Sequence, residues 1–420
     1  MALTAMIGLM LVLRELPVRL ALLCTGVALA LGAGGGETTA GAAGLDPEFS
    51  RSGVQALKGE GPLAAIAAGR EGRIWVLARG RLVSLTERGR LDSRFAERGV
   101  LQLSDGSLSA LEGLRSGAVI VAGTRAVGAP VVRYQPSVWL VSPSGRVVSR
   151  TDLPLPARYA SVLRVTAAPA RGGRVVIAVA GRSEVGRPRV LTALFRVTEA
   201  NRLDRRFGRD GVVRASSPPH GEVADGGVLV RPNGKLVIAG GCYSCPFPKT
   251  RLSQYDSRGR LDEGFGDEGL LHLRPRKLVG GGGLALAPDG ALLIHAGRTL
   301  RVAGERVDRS FGVAGVTATG FRRTVPGRPV VLPSGTLISA GAFHAYSSFR
   351  LVAHTREGHL DHHLFGRDGR FRLPAARRFP VARAHAMTLD RRGRLLVAGE
   401  VTRPRRCCGT PTVWRLHLGR

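Results

Sequence analysis

Six aspartates stand in one recurring local setting, and repeated carboxylates are where ion binding or acid–base chemistry would begin. Asp46, Asp92, Asp204, Asp262, Asp308 and Asp361 each follow a leucine or valine. Phe49, Phe95, Phe207, Phe265 and Phe311 stand three positions after the first five of them. A calcium loop needs several carboxylates and carbonyls converging within about a dozen residues, and no copy supplies them. A carboxylate that caps a helical turn needs only the N–H groups two and three residues on, a contact worth about 1 kcal/mol. Pro47, directly after Asp46, suits the first position of such a turn. The six aspartates therefore read as structural caps. The five phenylalanines, on the same side of the turn, read as wedges between neighbouring repeat units.

The other reactive side chains point away from catalysis. Cys242 and Cys245 frame a Tyr-Ser pair, and Cys407 and Cys408 are adjacent. Four cysteines remain once a leader carrying Cys24 is removed, and an even number in an exported chain favours disulfides. They would be local to each loop, because the bond needs Cα atoms within about 7 Å and the two pairs lie in distant repeat units. A redox pair of the thioredoxin type should open a helix, whereas Pro246 and Pro248 follow Cys245 in a loop. A zinc site joining the pairs meets the same distance objection. His344, His354, His359, His362 and His363 are close in sequence, but neighbours in a turn point different ways, so they read as exposed polar residues rather than metal ligands. There is no Gly-x-Ser-x-Gly elbow, no His-Glu-x-x-His and no phosphate loop ending in Gly-Lys-Ser/Thr. The sequence names no catalytic residue, no metal and no cofactor.

The elements that position these residues are repeated. The pattern appears as LDPEFSRSGV from Leu45, LDSRFAERGV from Leu91, LDRRFGRDGV from Leu203, LDEGFGDEGL from Leu261 and VDRSFGVAGV from Val307. LDHHLFGRDGR from Leu360 carries one extra residue. The interval from Asp92 to Asp204 is about twice the others, and its midpoint near Val148 reads as a decayed seventh copy. A turn glycine before an apolar run gives the same count, at Gly72, Gly117, Gly173, Gly234, Gly290, Gly335 and Gly393. Asn233-Gly234 and Asp289-Gly290 read as two-residue hairpin turns, which need positive φ. Each unit then holds four short strands, the first directly after the Asp motif, and four strands repeated radially is propeller arithmetic. The expected fold is all-β: a seven-bladed β-propeller of four-stranded antiparallel blades over residues 44–420, its blade frame free to be offset by one strand from the repeat frame.

The residues carrying this pattern resemble the delta-60 repeat family of bacterial repeat proteins over nearly all of the chain after residue 43. Unit three departs from the pattern, lacking both the Asp and the Phe. The resemblance implies a propeller-like, exported repeat protein and brings no catalytic residue with it.

Residues 1–43 read as a signal peptide or N-terminal membrane anchor. Arg14 and Arg19 precede an apolar run over 20–31, and a Gly-rich stretch leads to small residues at Ala40, Ala42 and Ala43. The run is short for a membrane span. The expected location is extracellular or in the cell envelope, with membrane contact only if the leader is retained.

The formal net charge is +31, from 62 Lys and Arg against 31 Asp and Glu. The arginines are scattered, with no run resembling a nucleic-acid arm, so no specific nucleic-acid partner is expected. A surface this basic still attracts polyanions in a salt-dependent way. Unit length varies mainly in one link per unit, minimal at Arg79-Gly80-Arg81 and Gly297-Arg298-Thr299 and expanded over 124–137, 182–189, 241–251, 342–348 and 400–412. In an antiparallel four-stranded blade these links emerge on one face, and the glycine turns and Asp motifs on the other. Irregular insertions on one face mark a binding surface, here offering Arg133, Tyr134, Tyr243, Lys249, Arg251, Tyr346, Arg403, Arg405 and Arg406. The expected function is a monomeric, non-enzymatic binding or scaffold protein of the envelope, engaging an anionic polymer, a glycan or an envelope protein. The alternative is a propeller enzyme such as a carbohydrate lyase or hydrolase. Propeller enzymes assemble sites from distant blades, so the lack of a linear motif does not close that alternative. Convergent His, Tyr and Arg or carboxylates in a central pocket would favour it.

Overall fold

Gly234 shows how a blade is made. Its N–H donates to the Arg231 carbonyl at 2.8 Å, and the Arg231 N–H donates to the Lys235 carbonyl at 2.8 Å. Gly234 itself sits at φ +87°. This is a three-residue loop, a β-turn followed by one left-handed residue, and not the two-residue turn expected at Asn233-Gly234 and Asp289-Gly290. Only the glycine needs positive φ, so Asn233 and Asp289 keep ordinary backbone. The same pair of bonds recurs at Gly117, Gly290, Gly335 and Gly393.

The computed structural model describes residues 43–419 apart from 60, 62, 105, 129–132, 156–158, 184–189, 216–226, 243–248, 274–282, 318–320, 322, 325–327, 343–347, 376–380 and 404–408. The strands joined by these turns form seven antiparallel sheets in a ring, a seven-bladed β-propeller. From the axis outward, blade 1 is Leu63–Ala68, Ile74–Ala78, Arg81–Leu85 and Val100–Gln102. Blade 2 is Leu108–Gly113, Val119–Val127, Arg133–Val141 and Val147–Asp152, and blade 3 is Tyr159–Pro169, Val175–Ser183, Val190–Val197 and Val212–Ala215. Blade 4 is Val228–Val230, Leu236–Cys242, Lys249–Tyr255 and Leu270–Leu273. Blade 5 is Gly283–Leu286, Leu292–His295, Thr299–Ala303 and Arg306–Val307. In blade 6 two short inner strands, Arg323–Thr324 and Val330–Val331, both pair with Leu337–Ala342, followed by Arg350–His354 and Arg370–Arg372. Blade 7 has Val381–Leu389, Leu395–Thr402 and Thr410–His417.

The blades are offset by one strand from the repeat. Val100–Gln102 follows the Asp92 motif, yet it is the outer strand of the blade that begins at Leu63. The first motif therefore has no blade of its own to complete. Its strands Gly44–Leu45 and Val54–Ala56 pair instead with Thr410–His417 and supply the outer edge of blade 7. The ring is closed by backbone hydrogen bonds between the two ends of the propeller.

Both faces of each sheet are covered, so the second and third strands read as continuous apolar runs; Ile74–Ala78 and Leu337–Ala342 are buried at every position. The apolar side chains collect into clusters between adjacent blades. Phe49, Phe95, Phe207, Phe265 and Phe311 are each buried in one of these clusters. A Cβ on Gly89, Gly259 or Gly358 would meet the ring of Phe49, Phe207 or Phe311 at 2.6–2.9 Å, so these glycines let the next blade approach each ring. The residue after the Phe also crosses the boundary: Ser50, Ala96, Gly208 and Gly312 donate N–H to the carbonyls of Arg88, Ser144, Arg258 and Glu357. Blade 2 has lost its Phe, and there the turn glycine of the following blade is replaced by Asn201, at φ +57°. Asn201 is buried and donates to the Val138 carbonyl across the boundary at 3.0 Å. A side chain from one partner fills the space left by the other.

Candidate functional site

On one face of the ring, the turn between the inner and second strands meets the Asp motif between the third and outer strands. Every motif Asp is anchored by its own N–H, which donates to a third-strand carbonyl: Asp46 to Arg415, Asp92 to Ser84, Asp204 to Arg196, Asp262 to Gln254, Asp308 to Arg301 and Asp361 to Ala353. One carboxylate oxygen accepts an N–H two residues on, from Glu48, Arg94, Arg206, Ser310 and His363 in turn; Asp262 accepts that of Gly264. In four motifs the other oxygen takes a cation from the hairpin turn of the same blade, and that of Asp308 takes Arg301 from the third strand at 2.8 Å. Arg73 reaches Asp92 at 3.0 Å, Arg174 reaches Asp204 at 3.0 Å and Lys235 reaches Asp262 at 2.7 Å. In blade 7 Arg394 reaches Asp46 at 3.4 Å. The basic residue directly follows the turn glycine in four units, but its pairing with the Asp is visible only in the fold.

These contacts set the acidity of the motif. The Lys235 ammonium holds the Asp262 carboxyl below its ordinary value. Burial pushes Asp46 the other way, but the Glu48 N–H and the Arg415 guanidinium outweigh it and the pKa falls. One oxygen is on backbone in all six motifs, and at Asp46, Asp92, Asp204, Asp262 and Asp308 the other is held by an arginine or a lysine.

The opposite face carries the connections between second and third strands and those between blades. Arg79, Arg133, Tyr134, Arg182 and Arg403 are exposed there. Arg251 is buried, because its register opposite Gly240 and His272 places it within the sheet rather than in the loop. Lys249 opposes Cys242 at the end of the hairpin. Tyr243, Cys245, Tyr346, Arg405, Arg406, Cys407 and Cys408 lie outside the described residues. Among the described residues, the acids away from the motif face are Glu112, Asp152 and Glu400. Asp152 is paired with Arg125 at 2.7 Å. Glu400 is buried against Arg383 at 3.2 Å and accepts the Gly409 N–H at 2.9 Å.

The axial channel is crossed by an arginine. Arg328 lies between the two inner strands of blade 6, and its Nη2 donates to the Ala167 carbonyl of blade 3 at 2.8 Å and the Val228 carbonyl of blade 4 at 2.7 Å. Glu112, on the inner strand of blade 2, faces the same guanidinium. It keeps some accessible surface. Protein surrounds it nonetheless, and desolvation pushes its carboxyl up to about 7 against the pull of Arg328. A glutamate within Leu-Ser-Ala-Leu-Glu-Gly is the one available sequence signal; nothing marks Arg328.

His354, expected to be exposed, is buried in the position that Leu85 and Leu416 occupy in blades 1 and 7. Neither ring nitrogen has a hydrogen-bond partner among the described residues. Burial lowers its pKa to about 4, and likewise that of His295, whose Nδ1 lies 2.9 Å from the Thr299 hydroxyl. No group of three or more His, Cys, Asp and Glu among the described residues is placed to hold a metal ion.

No family model matches the sequence, and no curated relative matches it. Solved structures are similar in fold. One is a protein of unknown function from Dyadobacter fermentans, 8% identical, covering 90% of this chain and 99% of its own, with a TM-score of 0.44. A glucose dehydrogenase is 15% identical over 86% of this chain and 98% of its own, with a TM-score of 0.44. The NanB sialidase from Streptococcus pneumoniae is 9% identical over 83% of this chain and 82% of its own, with a TM-score of 0.45. At these identities no activity is transferred to this chain.

Proposed function

We propose that this protein is an exported, non-enzymatic binding propeller of the cell envelope that engages an anionic polymer, such as an acidic glycan, on the face opposite the Asp motifs. The observation supporting this is the segregation of carboxylates. On the motif face Asp, Glu and Arg interleave and pair. On the opposite face the three described acids are spent on a salt bridge, a buried contact and the channel, while Arg79, Arg133, Arg182 and Arg403 with Tyr134 are exposed. In sequence, the internal stretches outside the described residues hold Glu60, Asp105, Glu184, Glu222 and Asp225 against Arg158, Arg187, Arg189, Arg274, Arg276, Lys277, Arg322, Arg377, Arg378, Arg405 and Arg406. A cationic face with an aromatic side chain suits a sulfated, phosphorylated or carboxylated polymer. Retention on heparin and on teichoic acid, measured against salt, tests the reading. It should weaken steeply between 50 and 200 mM salt, roughly as phosphate binding does elsewhere. Charge reversal of Arg133 and Arg403 should weaken it further, while reversal of Arg205 and Arg206 on the motif face should matter little. Equal losses from the two faces would refute the assignment.

A further inference from the structure

We propose that the cleft between blades 5 and 6 on the motif face binds a guanidinium group, that of an arginine side chain. The cleft has a volume of about 390 Å³ and is lined by Asp289, Arg301, Asp308, Phe311, Arg356 and Glu357 among others.

The ring contains the binding mode elsewhere. At three other boundaries an arginine of one blade donates to the same carbonyl in the outer turn of the next: Arg73 to Pro143, Arg196 to Ser257 and Arg415 to Glu87. Arg196 and Arg415 do so while lying 4.7 and 4.6 Å from the ring centroids of Phe207 and Phe49. Arg356 holds the equivalent position in blade 6, five residues before its motif Asp, as Ser257 and Glu87 do in blades 4 and 1. The blade 5 arginine that corresponds to Arg196 and Arg415 is Arg301, which holds its motif Asp through Nε as they do but turns its outer nitrogen to the hairpin turn of its own blade. Its Nε is 2.8 Å from Asp308, its Nη2 is on Asp289 at the neighbouring turn, and its guanidinium is 5.9 Å from Phe311. The basic residue that follows the turn glycine in blades 1, 3, 4 and 7 is Ala291 here. The Phe311 ring and the outer-turn residue Arg356 therefore border a cleft from which the second cation of the motif, Arg174 in blade 3 and Arg394 in blade 7, is missing.

The local charge fits the same occupant. In blade 3 two arginines share one carboxylate, Asp204. In blade 5 one arginine is shared by two, Asp289 and Asp308. Glu357 pairs with Arg356 at the rim, so the lining holds one more acid than base in a chain whose net charge is +31. Ala287 lines the cleft beside Leu293 and Leu337, a small side chain that leaves room for an arginine stem. A planar guanidinium over an aromatic ring with a carboxylate beside it is a favourable arrangement, and a compact ammonium gains less from it.

Titration of the full chain with N-acetyl-L-arginine amide, followed by ligand-observed NMR, tests the site. N-acetyl-L-citrulline amide has the same shape without the charge and should bind at least tenfold more weakly. Ala291→Arg restores the side chain that Arg174 and Arg394 provide and should abolish binding without lowering the thermal midpoint. Glu357→Gln should weaken binding several-fold in a chain whose fold is untouched. Free L-arginine binding as tightly as the amide assigns the site to a small molecule, and tighter binding of the amide assigns it to an arginine within a polypeptide; both outcomes support a guanidinium site. Equal binding of the arginine and citrulline amides, or undiminished binding after Glu357→Gln and Ala291→Arg, overturns it.

Discussion

Arg415 closes on Asp46: its Nε lies 2.6 Å from the carboxylate, with both side chains buried, although the two stand at opposite ends of the propeller. Arg394 and His417 face the same carboxylate at 3.4 and 3.0 Å. The first motif thus gives blade 7 the ionic clamp that Asp92, Asp204, Asp262 and Asp308 give blades 1, 3, 4 and 5, and it does so where the ring must be sealed. Removing one partner of a buried pair costs about 3–5 kcal/mol, because the other charge is left without compensation. Asp46→Ala should therefore lower the urea midpoint far more than Asp361→Ala. The carboxylate of Asp361 accepts the His363 and Leu364 N–H groups, a cap worth about 1 kcal/mol. Equal losses in the two variants would show that closure does not depend on this contact.

Two glycines with the same backbone separate strain from packing. At Gly234, φ +87°, an added Cβ would have only the Ser257 Cβ near it, at 3.4 Å, whereas at Gly259, φ +83°, it would clash with Val213 and meet the Phe207 ring at 2.9 Å. Gly234→Ala should cost about 1–2 kcal/mol for the left-handed conformation alone. Gly259→Ala should add about 1–3 kcal/mol of overpacking at the boundary between blades 3 and 4. Chemical denaturation of both variants checks the ordering, and a smaller loss for Gly259→Ala would contradict the wedge role of Phe207.

The channel pair has a spectroscopic consequence. Arg328 works against the desolvation that raises Glu112. Arg328→Met should therefore move the Glu112 pKa above its present value of about 7, read from the carboxyl carbon shift of Glu112 in an NMR titration. It should also release the Ala167 and Val228 carbonyls and lower stability. An unchanged Glu112 titration would mean that the two groups do not sense each other across the channel.

The seven-fold count is legible because glycine and aspartate mark backbone events that few other residues serve. All seven turn glycines predicted from the sequence sit at positive φ, from Gly173 at +69° to Gly335 at +89°. The strand offset is not legible, since a strand beside the Asp motif can pair forward or backward with equal local chemistry; the pairing of Val54–Ala56 with Thr410–His417 decides it only in three dimensions. Asn201 compensates for a Phe lost from a different repeat, and Arg328 crosses to blades that begin far away in sequence. Arg251 reads as a loop residue because its link is long, whereas the strand Lys249–Tyr255 begins two residues earlier and buries it. Contacts of this kind have no sequence signature, and the candidate site consists mainly of them.

His354 makes stability fall in mild acid. Its folded pKa is about 4 against an ordinary 6.5, so the unfolded chain takes up the proton first. The stabilisation is complete above pH 6.5 and is lost as the pH falls towards 4, by roughly 2 kcal/mol at about pH 5. His295 acts in the same direction, with His354 as a neighbouring charge that lowers its pKa after desolvation has done so. Glu112 acts in the opposite direction: its raised pKa gives stability that is present below about 4.5 and lost as pH rises through 7. The motif aspartates Asp46, Asp204, Asp262 and Asp308 are held below 3.8 and weaken only in stronger acid. His354→Leu, the side chain found at Leu85 and Leu416, isolates one contribution from the rest. The gap in urea midpoint between His354→Leu and the parent chain should widen steadily from about pH 7 to about pH 4.5. A gap that stays constant over that range would mean that His354 is protonated in the folded protein at the same pH as in the unfolded one, and that it is solvated rather than enclosed.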